Sequence, residues 1–359
     1  MRLRVVAAAL LAAAASRGFV AAENNATLTA VPGIKVGHHT LTERPTGCTV
    51  VLAEAGATAG VDVRGAAPAT RETDLLEPVD LVDKIHAVVL SGGSAFGLDS
   101  ASGVMKYLED KNIGFAFGGA HVPTVPGASL FDLPVGNPRI RPTADCGYRA
   151  SQSATSDPVA EGSVGAGAGA TIGKSAGMAH AMKGGIGTAA ITLPDGLIVA
   201  ALVAVNAAGD IIDPATGQVV AGARADDGKT FLDARKLMRA GVPRPVAPRE
   251  NTTLGVIATN ATLTKTQAKR VAQMAHDGFA RAIYPSHTSG DGDTIFALAT
   301  GVKPATPGAP GAPGAPGAPG VDETSRIGSL AALAMSDAIL RAVRQATGVP
   351  GFPALRDLK

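Results

Sequence analysis

Tryptophan is absent and aromatic residues make up only 3% of a 359-residue chain that is 46% hydrophobic. A core of that composition has to be assembled from Ala, Val, Leu and Ile, and 45 glycines let backbones approach closely. Tightly layered sheets and helices follow. Charge of one sign is also missing. With 32 Lys and Arg against 30 Asp and Glu, the net charge is +2. No basic stripe with interleaved aromatics exists to grip nucleic acid, so none is expected as a partner. No apolar run reaches the ~20 residues that span a bilayer, so no membrane is expected either. The apolar run Val5 to Ala15 follows Arg2 and Arg4 and precedes the small residues Val20-Ala21-Ala22. Residues 1–22 therefore read as a cleaved secretory signal, with an organelle transit peptide as the alternative because no acid precedes Glu23.

Cysteine is scarce too, Cys48 and Cys146 being the only two. Cys48 lies inside the apolar run Cys48-Thr49-Val50-Val51-Leu52 and reads as a buried free thiol, although a secretory route also permits a disulfide. The seven histidines show no H-E-x-x-H or other metal spacing, so no metal is expected. A formal G-x-G-x-x-A match from Gly165 to Ala170 has no apolar strand before it and no acid placed for a ribose. No dinucleotide or other cofactor is expected. The stretch from Gly162 to Lys174 suits close backbone packing around a site instead. Glycosylation sequons occur at Asn25, Asn251 and Asn260; the last two border a predicted buried strand, which leaves Asn25 as the accessible one.

What is present is an alternation of strand and helix signals. His86 to Leu90 reads as a buried strand and Gly97 to Lys111 as a helix stopped by Asn112 and Gly114. Between them, Ser94 sits on a turn like the G-x-S-x-G nucleophile elbow, but Phe96 occupies the position that motif gives to glycine, and a plain helix entry fits as well. Ile186 to Leu193, Pro194-Asp195-Gly196 and Leu197 to Val205 form a hairpin. Thr264-Lys265-Thr266-Gln267 is a capping box opening a helix with Ala268, Val271, Ala272, Ala275, Phe279 and Ala282 on one face. A strand from Thr294 to Ala299 follows. Residues 303–321 repeat Gly-Ala-Pro and read as an extended solvated loop, before a last amphipathic helix from Ser325 to Thr347.

The chemistry concentrates around Asn251-Thr252-Thr253, where a polar turn enters the apolar run Leu254 to Thr259. A threonine hydroxyl is a weak nucleophile, but at a chain's first position its own α-amino group, titrating near pH ~7.7–8.0, can accept the proton. Thr252 reaches that state only if the Asn251–Thr252 bond is cut. Asp291-Gly292-Asp293 stands directly before the next strand, so parallel neighbouring strands would put two carboxylates beside that hydroxyl. The same segment is also ideal turn chemistry.

Seven ordered blocks bear on this choice: Thr46-Gly47-Cys48-Thr49-Val50-Val51; Gly60-Val61-Asp62-Val63-Arg64-Gly65 with Arg71-Glu72-Thr73-Asp74; Leu90 to Asp99; Gly165 to Lys174; Lys183-Gly184-Gly185-Ile186-Gly187-Thr188; Asn251-Thr252-Thr253; and Asp291-Gly292-Asp293-Thr294. From Pro32 to Val349, apart from the Gly-Ala-Pro insert, the chain resembles the L-aminopeptidase/D-esterase (β-peptidyl aminopeptidase) family. Within it the chain is most similar to the branch containing the nylon-oligomer endohydrolase. The resemblance implies a four-layer α/β/β/α sandwich and an inactive precursor that cuts itself between Asn251 and Thr252. It also implies a larger subunit of residues 23–251 and a smaller one of residues 252–359 that stay together, assembled as a tetramer of such units. It assigns Thr252 as nucleophile, Asp291 and Asp293 as the pair that orients it, Asn206 as oxyanion donor and Lys174 as the lysine beside the nucleophile. Phe131 stands where the aminopeptidase branch has a tyrosine, so a donor from that position is missing. The expected substrate is a small peptide or amide. Alternatives that stay open are an acyltransferase of the ornithine acetyltransferase type, a Ser94 hydrolase and a noncatalytic secreted protein.

Overall fold

A computed structural model describes residues 25–241, 251–303 and 321–358. The expected signal and nearly all of the Gly-Ala-Pro stretch fall outside these residues. Nine strands form one continuous mixed sheet: β1 (Lys35–Thr40), β2 (Gly47–Val63), β3 (Thr70–Arg71), β4 (Lys84–Ser91), β5 (Gly127–Ser129), β6 (Gly185–Thr192), β7 (Ile198–Val205), β8 (Leu254–Thr259) and β9 (Thr294–Ala299). The order is β6-β7-β8-β9-β2-β4-β5-β3, with β1 also on β2. Long β2 belongs to both halves, pairing β4 mainly through Cys48 to Leu52 and β9 through Thr58 to Val63. The sheet therefore folds over on itself along β2.

Side-chain alternation then resolves the layers. On β7, Ala200, Leu202 and Ala204 face a central apolar cluster that also holds Val51, Ala53, Val88 and Leu90 from the other half. Val199, Ala201, Val203 and Val205 face the opposite way, as the period of two requires. There they meet Ala268, Val271, Ala275 and Phe279 of α4 (Lys265–Ala282) and Met335, Ala338 and Ala342 of α5 (Val321–Gln345). On the far side, Cys48, Val50, Leu52 and Val89 pack against Val104 and Leu108 of α1 (Ser100–Glu109) and Cys146 and Ala150 of α2 (Ala144–Gln152). Helices, half-sheet, half-sheet, helices: the four-layer α/β/β/α sandwich is observed. A short α3 (Ala234–Arg239) ends the segment before the site.

The capping box at Thr264 forms with both of its reciprocal bonds. The helix expected from Gly97 begins later, at Ser100, because residues 94–99 make a 3-10 turn entered through Gly93 at φ +86°. Among the described residues, no helix is long and apolar enough to cross a membrane. Asn251 and Asn260 are buried as expected. Asn25 is half-buried, its Nδ2 donating to Thr29 Oγ1 at 3.0 Å.

The free-thiol reading of Cys48 is overturned. Cys48 and Cys146 form a disulfide, 98 residues apart in sequence with Cα atoms 6.2 Å apart. The apolar run that suggested a lone buried thiol faces α2, and Cys146 is the residue α2 presents to it. Closing a loop of that length restricts the unfolded chain, so replacing both cysteines by Ala should lower the unfolding free energy by about 2–5 kcal/mol. Urea unfolding measures this, and unchanged midpoints would show that the bond contributes no stability.

Candidate active site

Strands β8 and β9 are parallel neighbours in register, Leu254 beside Thr294. The residues just upstream of each are thereby brought side by side. Gly292 N–H donates to Asn251 O at 3.1 Å and Thr294 N–H to Thr253 O at 3.2 Å, while Thr253 N–H donates to Asp293 Oδ1 at 2.7 Å. On its other flank β8 pairs β7, and Asn206, directly after β7, accepts the Thr252 N–H through its backbone carbonyl at 2.9 Å. Thr252 is 4% exposed. Its hydroxyl donates to the carbonyl oxygen of Asn251, the residue before it.

The approach is this close because the flanking residue is glycine. A Cβ on Gly292 would stand 2.8 Å from Thr252 Oγ1 and 2.9 Å from Ala67 O. Any side chain there displaces the hydroxyl. Asn206, fully buried, is the hub on the opposite side. Its Oδ1 accepts from Lys174 Nζ at 3.0 Å and from Thr171 N–H at 3.0 Å, and its Nδ2 donates to Phe131 O at 3.1 Å. Lys174 Nζ also lies 3.5 Å from Asn206 O, the atom that takes the Thr252 N–H.

All five site residues expected from the sequence thus converge, but the two acids are placed differently. Asp293 touches the nucleophile's strand. Asp291 pairs with Asn251 through its backbone and turns its carboxylate to Thr288 N–H at 2.6 Å. Burial pushes its pKa up to about 6, with the charge of Asp293 adding to the shift. The folded chain therefore holds a proton that the unfolded chain has released over a window of about pH 4 to 6, and stability falls as pH rises through it. Asp291→Asn should raise the unfolding free energy at pH 7 by about 2 kcal/mol and leave it nearly unchanged at pH 4. Urea unfolding at both pH values checks this; equal effects at the two would contradict it.

Several supporting residues carry no sequence signal of a role. Arg44 and Asp132, both without side-chain exposure, pair at 2.7 Å. Asp132 also accepts from Thr46 Oγ1 at 2.6 Å and Gly93 N–H at 2.8 Å, which anchors the segment carrying Phe131. Lys183 is fully buried and donates to the carbonyls of Gly167, Ala168 and Ala170 at 3.2, 2.9 and 2.7 Å. It ties down the Gly- and Ala-rich stretch that leads to Lys174, and burial pulls its pKa to about 7. His287 is held against Asp293 at 2.9 Å, and the sequence marks it only as one of seven histidines without metal-ligand spacing.

Ser94 has the left-handed backbone of an elbow, φ +58°, but no histidine or carboxylate among the described residues hydrogen-bonds its hydroxyl. Phe96 beside it is 58% exposed under the Arg141 guanidinium, 3.7 Å above its ring. Helix entry accounts for this turn. No group of His, Cys, Asp or Glu among the described residues is arranged to hold a metal ion.

Comparison with known proteins bears on the family and the fold. The model of peptidase family S58 matches residues 26–355. An uncharacterised aminopeptidase of Mycobacterium tuberculosis is 44% identical over 345 residues, which cover 92% of this chain and 97% of that protein. The 6-aminohexanoate-oligomer endohydrolase of a Kocuria species is 31% identical over 318 residues, covering 87% and 84%. Among solved structures, a Burkholderia β-aminopeptidase superposes with a TM-score of 0.64 at 27% identity over 90% of this chain and 87% of that one. The L-aminopeptidase D-Ala-esterase/amidase of Ochrobactrum anthropi, described as a variant of the Ntn hydrolase fold, gives a TM-score of 0.66 at 20% identity, covering 92% and 90%, and speaks for the fold alone.

Proposed function

The chain belongs to peptidase family S58 and hydrolyses peptide or amide bonds, and on that premise we propose that it is a precursor that cuts itself between Asn251 and Thr252 and then uses Thr252 as its N-terminal nucleophile. One observation carries the reading. The Thr252 hydroxyl lies against the carbonyl of its own upstream peptide, whose oxygen already accepts the Gly292 N–H at 3.1 Å. That donor is aligned on the atom where negative charge develops when the carbonyl is attacked.

In maturation, Oγ bonds to the Asn251 carbonyl carbon and the hydroxyl proton passes to the oxygen it contacts. Collapse passes that proton to the departing nitrogen as the C–N bond breaks, leaving an ester on Thr252 and a free amine. Water then hydrolyses the ester to an Asn251 carboxylate. The new amine stays at the atom that donated to Asn206 O, within the field of Lys174 and Asp293. In turnover a substrate carbonyl takes the place vacated by that of Asn251. The Thr252 amine receives the hydroxyl proton and delivers it to the leaving amine, and water clears the acyl-enzyme. Gly292 N–H and the Asn206 side chain supply the oxyanion donors, the latter after exchanging its bond to Phe131 O.

The two chains would remain joined without a covalent link. Strands β8 and β9 of the smaller one sit between β7 and β2 of the larger, and α4 and α5 pack on the same half-sheet. The substrate class consistent with this site is a small peptide or amide, including peptides with a free amino terminus and ω-amino-acid oligomers. Comparing Thr252→Ala with Ser94→Ala for chain cleavage and amide hydrolysis tests the assignment: only the first should lose both.

A further inference from the structure

Asp293 is gripped from two sides. Its Oδ1 accepts the Thr253 N–H. Its Oδ2 accepts both the backbone N–H of His287 at 3.0 Å and the ring Nδ1–H at 2.9 Å. A carboxylate only accepts, so the facing ring nitrogen carries the proton. To bring two donors of one residue onto one oxygen, His287 adopts φ +54°, a left-handed conformation uncommon for a residue with a Cβ. Strain of this kind persists where the surroundings over-determine it.

Here the surroundings are α4. His276 meets the His287 ring edge-on with centroids 4.8 Å apart, and Phe279 stacks on it at 5.9 Å. His276 is itself fixed by donating Nε2–H to Asp62 O at 3.0 Å. Burial drives its pKa down to about 4, so it is a neutral wall. The charges around the pair are Asp62, which Arg64 holds at 2.6 Å, Asp291, and Lys174 beyond Asp291. A chain of contacts thus runs from α4 through His287 and Asp293 to the backbone N–H next to Thr252.

Resting on the Thr252 reading above, we propose that His287 is a positioning residue for that reaction: it locks the Asp293 carboxylate in the orientation whose Oδ1 fixes the Thr253 N–H, and so holds the Thr252 hydroxyl on the peptide it attacks. Without the ring, Oδ2 keeps only a backbone donor and the carboxylate can rotate. Misplacing a reacting group by about 1 Å costs roughly 100-fold in rate.

The chain is its own first substrate, so the test needs no other. Newly made protein from cell-free synthesis is chased, and the disappearance of uncut chain is followed on denaturing gels. His287→Gly accepts the positive φ, keeps the backbone donor and removes the ring. His287→Asn also tolerates that φ and restores an N–H near the Nδ1 position. Self-cleavage should slow by about 10–100-fold in the glycine variant and return to within a few-fold of the parent in the asparagine variant. Parental cleavage in His287→Gly, or equal impairment of both variants, overturns the proposal. A parent that never cuts, or a Thr252→Ala chain that cuts like it, instead overturns the nucleophile assignment on which the proposal rests.

Discussion

Thr252→Ala should remain one uncut chain and lose amide hydrolysis by roughly 10⁴–10⁶-fold, as when a nucleophile is deleted from other covalent hydrolases. The loss is chemical, because little of the fold rests on that hydroxyl. Its hydrogen bond is to the carbonyl of Asn251, which keeps the Gly292 N–H when the hydroxyl is gone, and the Thr252 N–H still reaches Asn206 O. A melting temperature close to that of the parent is therefore expected alongside the lost activity. Thr252→Ser, which keeps both hydroxyl and latent amine, should still cut and still turn over. Ser94→Ala should behave as the parent does. Activity that survives in Thr252→Ala, or vanishes in Ser94→Ala, moves the chemistry to the turn before α1.

Asn206→Ala should lower kcat by about 10²–10³-fold, the effect of removing one oxyanion donor, and unlike the first variant it should also destabilise the protein. Asn206 Oδ1 is an acceptor for Lys174 Nζ and Thr171 N–H, and buried polar groups that lose an acceptor cost about 1–3 kcal/mol each. Asn206→Asp separates the two effects. It keeps an acceptor for Lys174 and Thr171 but loses the Nδ2 donor, so kcat should stay low while stability recovers toward that of the parent. Steady-state kinetics with urea unfolding on the same preparations decides between them. Full activity in Asn206→Asp would mean that the Gly292 N–H and other backbone donors suffice and that Asn206 only holds Lys174.

The parts of this site legible in the sequence are those that follow from strand order. Apolar runs at Leu254 to Thr259 and Thr294 to Ala299, separated by one capped helix, place Thr252 and Asp293 side by side once the strands are parallel. The family resemblance supplied Asn206 and Lys174, which lie far away in sequence and which no local pattern marks. Three things were not legible. Asp291 and Asp293 look equivalent around Gly292, yet Asp291 closes a turn on Thr288 through both its N–H and its carboxylate, while the Asp293 carboxylate meets the nucleophile's strand. His287 carries no local mark of a role because its partners, His276 and Phe279, lie on a helix whose visible signal is its apolar face. Cys48 reads as a core thiol because the run containing it is apolar on both faces of a doubly covered strand, and only the packing of α2 shows which residue it meets.

The most direct measurement is the intact mass and N-terminal sequence of active, mature protein. Two chains are expected, the smaller beginning at Thr252 with a free amine and the larger ending at Asn251. Active protein in which the Asn251–Thr252 bond is intact would contradict the account.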